Sequence, residues 1–504
     1  MTVGRPALLA LLIAAACIGL LPRPAAADTA EERRFLDDVQ KRAVAYFRER
    51  ADPTTGLVTD RASNSGSDGY TVASTAATGY GLSSLAVGVD RKWLKRDEAA
   101  ARAEKTLRFL LAMPHNHGFL YHFIDKRTGE RVWQSEVSTI DTALCALGAL
   151  TAGRYFGGKV RALSERFTDR MDWRWALTNG GTRPDKLALT HGWRPETGFI
   201  AADWGSFCES TVLLLPALGS KQDLPAEVWT RLERPRYRYG NHETLAGGPI
   251  FWHQMTQGYY DLRNRRDRLG YDYWAAAEQA MDIHRAFCAD NAARRKTYRE
   301  GYWGLNAGDA SGGRYEAFGV PGPEDGTVSP TGVLAAILYR PKEALATAMR
   351  MRNELGDRAW GRYGFCNQFN LEPEWFGPDV IGIDLGMALL NIENYRSGLV
   401  WKLTAALPAT VRAYRKVGLS RTSEAGIRPL WRSRSGAGAV PWSLQSPGAL
   451  VYAAARRPGA RSVCCATDGL SRCAGQKDLA MRHGRSRNRT GLLPGQAGRR
   501  NGPT

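Results

Sequence analysis

From residue 28 to about 410 the apolar positions recur at three- and four-residue intervals, and no series of alternating runs competes with them. This spacing predicts helices near 29–51, 71–87, 93–112, 137–155, 158–172, 206–218, 224–233, 251–263, 270–292, 329–354, 384–403 and 408–418, arranged in pairs. The loops between pairs are rich in Gly, aromatic and acidic residues: 115–122, 193–199, 302–306 and 361–365. Long loops of that content carry function on a rigid scaffold. About twelve helices in hairpins, with ornate loops at one face, predict an all-α fold, an (α/α)6 toroid of six helical hairpins. No repeat of fixed period supports a solenoid.

The pattern changes at both ends. Arg5, an apolar run from Ala7 to Leu21 and Ala25-Ala26-Ala27 before Asp28 read as a signal peptide over 1–27, cleaved near Ala27. A periplasmic or secreted protein is expected, without a membrane span, because no later stretch is long and apolar enough. The single domain is expected to cover 28–418. Residues 419–504 form a basic tail rich in Arg, Ser, Gly and Pro with little periodicity. Two origins stay open for that tail, a shifted reading frame in a GC-rich gene or a disordered basic arm.

Net charge is +19, which would suit a nucleic-acid partner if it were spread over the domain. Its location says otherwise. Residues 411–504 hold 18 Lys and Arg against Glu424, Asp468 and Asp478, whereas 28–410 carry 49 basic and 47 acidic groups. No specific nucleic-acid partner is expected, and the domain should be monomeric. Cys145, Cys208, Cys288 and Cys366 are scattered singly, so buried thiols or one incidental disulfide are expected, with no zinc spacing, no metal and no cofactor.

Four carboxylate segments remain as candidate chemistry. In Trp133-Gln-Ser-Glu136-Val-Ser-Thr-Ile-Asp141, Glu136 belongs to the loop, and Asp141 pairs with Ser138 either as a cap or as part of a site. In Asp203-Trp204-Gly-Ser206-Phe-Cys-Glu209, the Ser206–Glu209 spacing is that of a capping box, while Asp203-Trp204 suits a sugar. Asp325 precedes a strong helix start at Ser329-Pro330 and reads as a turn residue. Asp384, between Gly382 and Gly386, is either a helix-entrance acid or a catalyst. Beyond it, Glu393 lies about 180° around the same helix, so Glu393, Asn394 and Arg396 read as a buried network fixing that helix.

Acids and aromatics at helix entrances suit a carbohydrate cleft: rings stack on sugar faces and carboxylates bind hydroxyls. Glycoside cleavage needs one carboxylic acid and a second carboxylate. Metalloprotease, P-loop, dinucleotide and nucleophile-elbow signatures are missing from the sequence. His115, His117 and His122 are read as loop histidines lining a sugar site or contacting water rather than as a metal triad. Candidate sugar contacts are Trp133, Glu136, Asp141, His122, Trp193, Asp203, Trp204, Trp303 and Tyr363.

Taken in order, residues 47–61, 73–82, 118–123, 136–144, 192–199, 325–327, 361–365 and 382–386 resemble the bacterial glycoamylase-like family, which includes endo-β-1,2-glucanases and a domain of cyclic β-1,2-glucan synthases. The resemblance runs from about residue 33 to 418. It implies an (α/α)6 barrel and inverting hydrolysis of a β-glucan, β-1,2-glucan first, in endo fashion. It also implies Glu209 as general acid and Asp384 as general base, with Glu136 and Asp141 lining glucose subsites. Cys208 and Leu385-Gly386-Met387 depart from the family's usual Asn and Gln-Gly-Pro, which points to altered subsite shape. The competing expectation is a non-catalytic periplasmic glucan-binding protein that uses the same cleft.

Overall fold

A computed structural model of the chain describes residues 28–421, apart from 67, 178, 180, 181, 184 and 186. The predicted leader over 1–27 and all but the first residues of the predicted tail lie outside the described residues. Of the two units into which the chain divides, 1–454 holds every described residue, and 455–504 lies wholly outside them.

The longer helices are α1 (Ala30–Glu49), α2 (Thr75–Asp90), α3 (Arg96–Ala112), α4 (Thr139–Phe156), α5 (Gly158–Asp169), α6 (Thr211–Gly219), α7 (Phe251–Tyr259), α8 (Tyr273–Asp290), α9 (Pro330–Ala335), α10 (Pro341–Leu355), α11 (Gly382–Arg396), α12 (Leu399–Ala405) and α13 (Pro408–Val417). All but the short α12 are of two kinds. Helices α2, α4, α6, α7, α9 and α11 are buried along nearly their whole length, whereas α1, α3, α5, α8, α10 and α13 bury one stripe and expose the other. A helix apolar all round must lie inside other helices, and an amphipathic one must face water. The buried set touches itself, α2 against α4 and α11, α11 against α7 and α9, and α6 against α4 and α7. Close approach of α2 and α4 depends on glycine: a Cβ on Gly148 would lie 1.9 Å from the Gly79 carbonyl oxygen.

Most predicted helices are present, and the exceptions have local causes. The expected 329–354 helix breaks after a 3-10 turn at Ala336–Leu338, and α10 restarts at Pro341, which cannot donate and crowds the preceding turn. The expected 384–403 helix divides at Gly398, whose left-handed φ of 66° ends one helix and starts the next. The predicted 224–233 helix is a single turn, Glu227–Thr230.

The expectation of a purely α chain needs correction in the loops. Strands of two to four residues pair there, including Arg61–Ser63 with Asp379–Ile381, Val72–Ser74 with Phe123–Asp125, and Val137–Ser138 with Gly192–Arg194. Such short strands leave no readable alternation. They matter because each ladder ties down the chain just before α2, α4 or α11. The four cysteines of the body are free and buried. No described helix is long and apolar enough to cross a membrane.

Candidate active site

Asp384 lies in the first turn of α11, yet it does not cap the helix. The N-cap is Ile381, which offers no side-chain acceptor, and the carboxylate Oδ2 instead accepts a 2.6 Å hydrogen bond from Asn367 Nδ2. The Asn367 amide is itself oriented, since its Oδ1 accepts from the Asp309 backbone N–H at 3.2 Å. The strand pairing Arg61 with Ile381 brings a buried guanidinium alongside. Arg61 contacts Asp60 at 3.2 Å, Asp309 at 2.9 Å and Asp379 at 3.8 Å. Burial pushes the Asp384 carboxyl up to about 7, against the Asn367 hydrogen bond and with the nearby Asp309 and Asp60 charges adding to the rise.

A second group forms where α4 begins. Ser138 caps the helix by accepting from Asp141 N, and its hydroxyl donates to Asp141 Oδ2 at 2.6 Å. The cap reading of Asp141 is therefore half of the answer. Its other oxygen lies 3.6 Å from His122 Nε2, and His122 Nδ1 lies 3.0 Å from Glu136 Oε1. Burial disfavours a charged imidazole, but the Asp141 charge and the Glu136 hydrogen bond raise His122 to about 9. Burial raises Asp141, whereas for Glu136 the opposing burial is outweighed by His122, so its pKa falls.

Glu209 approaches from the segment before α6. The capping-box alternative fails here, because the helix starts only at Thr211 and Ser206 is held in a bridge to Glu233. Glu209 is 2 % exposed, and its Oε2 has no hydrogen-bond partner. Burial pushes it up to about 7, opposed by its own backbone N–H and Cys208, with the Asp141 charge adding to the rise. The charges of Asp141 and Asp384 both act on the Tyr80 hydroxyl. Asp141 is thus the common neighbour: its charge acts on Glu209 and, together with that of Asp384, on Tyr80.

The aromatic candidates divide. Trp133 is 46 % exposed, in a left-handed backbone conformation, with its ring 5.3 Å from Phe123, which stacks on His122. Trp193 is half-buried in the ladder beside Val137, and its neighbour Arg194 reaches within 3.9 Å of Glu136. Trp204 needs correction as a free platform: its indole N–H donates to Thr139 at 3.0 Å and its ring stacks on His191. Asp203 is engaged by Arg183. Trp303 is away from the acids; it donates to Thr347 of α10 at 2.9 Å. Tyr363 is buried edge-on to Tyr46, with its hydroxyl donating to Glu49 at 3.2 Å. Each buried ring gains more from packing in its loop than exposure would leave it.

Asp325 is the predicted turn residue, accepting from Thr327 N at 2.9 Å. Sequence reasoning missed Asn367 and the Arg61 group. Asp60-Arg61 was visible as an adjacent ion pair, but nothing local marks Asn367, which reaches Asp384 only through the fold. Two surface hollows are lined by other residues: one of about 500 Å³ by Arg285, Trp303 and Arg350, and one of about 200 Å³ by Phe47, Thr78 and Arg102.

Residues 201–408 match the family model named Glycoamylase and described as "Putative glucoamylase", so the resemblance to glycoamylase-like proteins holds across the Glu209 and Asp384 segments. An exo beta-1,2-glucooligosaccharide sophorohydrolase (non-reducing end) from Parabacteroides distasonis is 25 % identical over 77 % of this chain. The chain spans 58 % of that relative's length. A "putative glucoamylase" crystal structure from Bacteroides uniformis is 27 % identical, with TM-score 0.72 over 78 % of this chain and 99 % of its own. The endo-beta-1,2-glucanase from Chitinophaga pinensis, in complex with sophorotriose and glucose, shares the fold at 24 % identity and TM-score 0.70, over 78 % of this chain and 98 % of its own.

Proposed function

We propose that this chain is a glycoside hydrolase that cleaves β-1,2-glucan by inversion, with Glu209 as general acid and Asp384 as general base. The observation that carries the reading is the buried, unpartnered Oε2 of Glu209; Asp141, whose charge acts on Glu209, also acts on the Tyr80 hydroxyl together with an Asp384 that caps nothing. A buried carboxyl oxygen lacking a hydrogen-bond partner costs stability, and a substrate oxygen would offset that cost. Raised by burial to about 7, Glu209 can hold a proton near neutrality and deliver it to the glycosidic oxygen. Asn367 donates to Asp384 and favours its ionised form, suited to removing a proton from water directly or through a substrate hydroxyl. His122, held between Glu136 and Asp141, favours the ionised form of Glu136 and opposes the rise that burial gives Asp141, leaving both carboxyls to meet sugar hydroxyls.

The scaffold of this reading is an (α/α)6 toroid, with α2, α4, α6, α7, α9 and α11 as the inner ring and the catalytic domain covering 28–418. Helix starts facing one end of that ring would supply the three acids. The sophorohydrolase from Parabacteroides distasonis directs the choice of β-1,2 linkage, and the glucanase of like fold directs the choice of endo action. Export to the periplasm or beyond, as a monomer acting on an oligo- or polysaccharide, completes the proposal.

Product analysis tests it. Purified protein should release short oligosaccharides from β-1,2-glucan and leave β-1,3-, β-1,4- and α-glucans intact, with the α-anomer formed first. Cleavage of another linkage would overturn the substrate, a β-anomer would overturn inversion, and tight glucan binding without any cleavage would favour a binding protein.

A further inference from the structure

Tyr80 lies within the 73–82 segment on which the family resemblance partly rests, and no step above uses it. Two glycine contacts fix its place. Gly79 and Gly148 let the backbones of α2 and α4 meet, and a Cβ on Gly386 of α11 would lie 2.2 Å from Tyr80 Cγ. The ring therefore packs on the helix that carries Asp384, one residue along from the point where α2 meets the helix that carries Asp141. Its neighbour Tyr259, 5.9 Å away between ring centroids, spends its own hydroxyl on Ser83 at 3.2 Å. The Tyr80 hydroxyl is buried and has no hydrogen-bond partner, in a residue 1 % exposed.

Phenylalanine would fill the same volume without burying an unpaired hydroxyl, which is costly to stability. The charged groups that act on this hydroxyl are the carboxyls of Asp384 and Asp141. Ionised carboxylates only accept, whereas a phenol both donates and accepts, as sugar hydroxyls do. We propose that Tyr80 is a substrate-contacting residue of this site, whose hydroxyl donates a hydrogen bond to a hydroxyl of the glucosyl unit bound between Asp141 and Asp384. The inference rests on the glycoside-hydrolase reading for the identity of that ligand.

Tyr80→Phe tests it through three measurements. We expect kcat/KM on β-1,2-glucan to fall about tenfold, the size of one lost hydrogen bond in a shielded site. The thermal midpoint should stay level or rise, because the variant removes an unpaired polar atom. Calorimetric affinity for a β-1,2-gluco-oligosaccharide should fall comparably when the substitution is made in a Glu209→Gln background. Unchanged kcat/KM and affinity would overturn the proposal while leaving the hydrolase reading intact. A lowered midpoint with unchanged affinity would also overturn it, by giving the hydroxyl a structural partner. If no glucan is cleaved but Tyr80→Phe still weakens oligosaccharide binding, the contact stands and the hydrolase reading falls. Failure of the wild type to bind any oligosaccharide overturns both.

Discussion

One helix, α11, carries two buried carboxylates with opposite surroundings. Glu393, fully buried, is saturated: Arg91 grips it with two nitrogens at 2.8 and 3.0 Å, Gln40 donates at 2.9 Å and Ser397 at 2.5 Å. Asp384, nine residues earlier, receives one side-chain hydrogen bond, from Asn367, and has carboxylates among its neighbours. Equal burial therefore does not mean equal role. A charge whose lone pairs are all occupied can only hold structure in place, whereas an under-supplied carboxyl near neutrality can exchange a proton. Glu209 falls on the Asp384 side of that division.

The largest effect expected from this contrast is kinetic. Asp384→Asn or Glu209→Gln should lower kcat on β-1,2-glucan by about 10²–10⁴-fold, the usual contribution of a positioned acid or base. Turnover within a few fold of wild type in either variant would remove that residue from the mechanism. The same substitutions should stabilise the fold at alkaline pH. Both carboxyls have folded pKa values raised to about 7, so the native state binds more protons than the unfolded chain between about pH 4 and 7. Stability from these groups is then fully present below their unfolded pKa and is lost as pH rises through 7. At pH 8 each variant should gain up to about 4 kcal/mol over wild type and at pH 4 almost nothing, read by denaturant unfolding. Equal gains at both pH values would contradict the raised pKa. In wild type, kcat/KM should follow a bell near neutrality, rising as Asp384 ionises and falling as Glu209 loses its proton.

Glu393→Gln sharpens the other half of the comparison. It leaves the Arg91 guanidinium largely buried without its carboxylate, which should cost about 3 kcal/mol of stability. At a temperature where the variant is folded, its KM and kcat should match wild type. A change in the pH profile of kcat/KM would show that Glu393 communicates with the site and break the division.

That role for Glu393 was legible before the structure, since helical spacing alone turns it away from Asp384. Start signals with an immediate partner were legible too: Ser329 and Ser138 cap α9 and α4 as their sequences predict. Ser206 has equally good spacing and caps nothing. Hydrogen bonds from Phe207 N to Glu233 O and from Glu233 N to Gly205 O hold that stretch extended, and neither partner is near in sequence. The same limit hid Asn367 and the Arg61 group, whose contacts with the acids form only when distant strands pair. Aromatic loops misled for a different reason. Composition reports that a ring is in a loop, but Trp303 and Tyr363 are turned inward by packing that involves α10 and α1.

Two tryptophans extend the contrast from acids to rings and give the smallest effects. Trp133 is largely exposed, and its ring contact leads through Phe123 to His122, so its free surface is available to a sugar face. Trp133→Ala should raise KM by about three- to tenfold with kcat nearly unchanged, the scale of one lost stacking contact, and should leave the thermal midpoint in place. Trp204→Phe should behave in reverse. It removes the indole bond to Thr139 and leaves that hydroxyl one partner short, at a cost of about 1 kcal/mol, while KM stays level. If Trp204→Phe instead raised KM and spared stability, its indole would have to leave Thr139 when substrate binds. Satisfaction of a polar group in the free protein would then no longer separate structural from substrate-binding residues in this site.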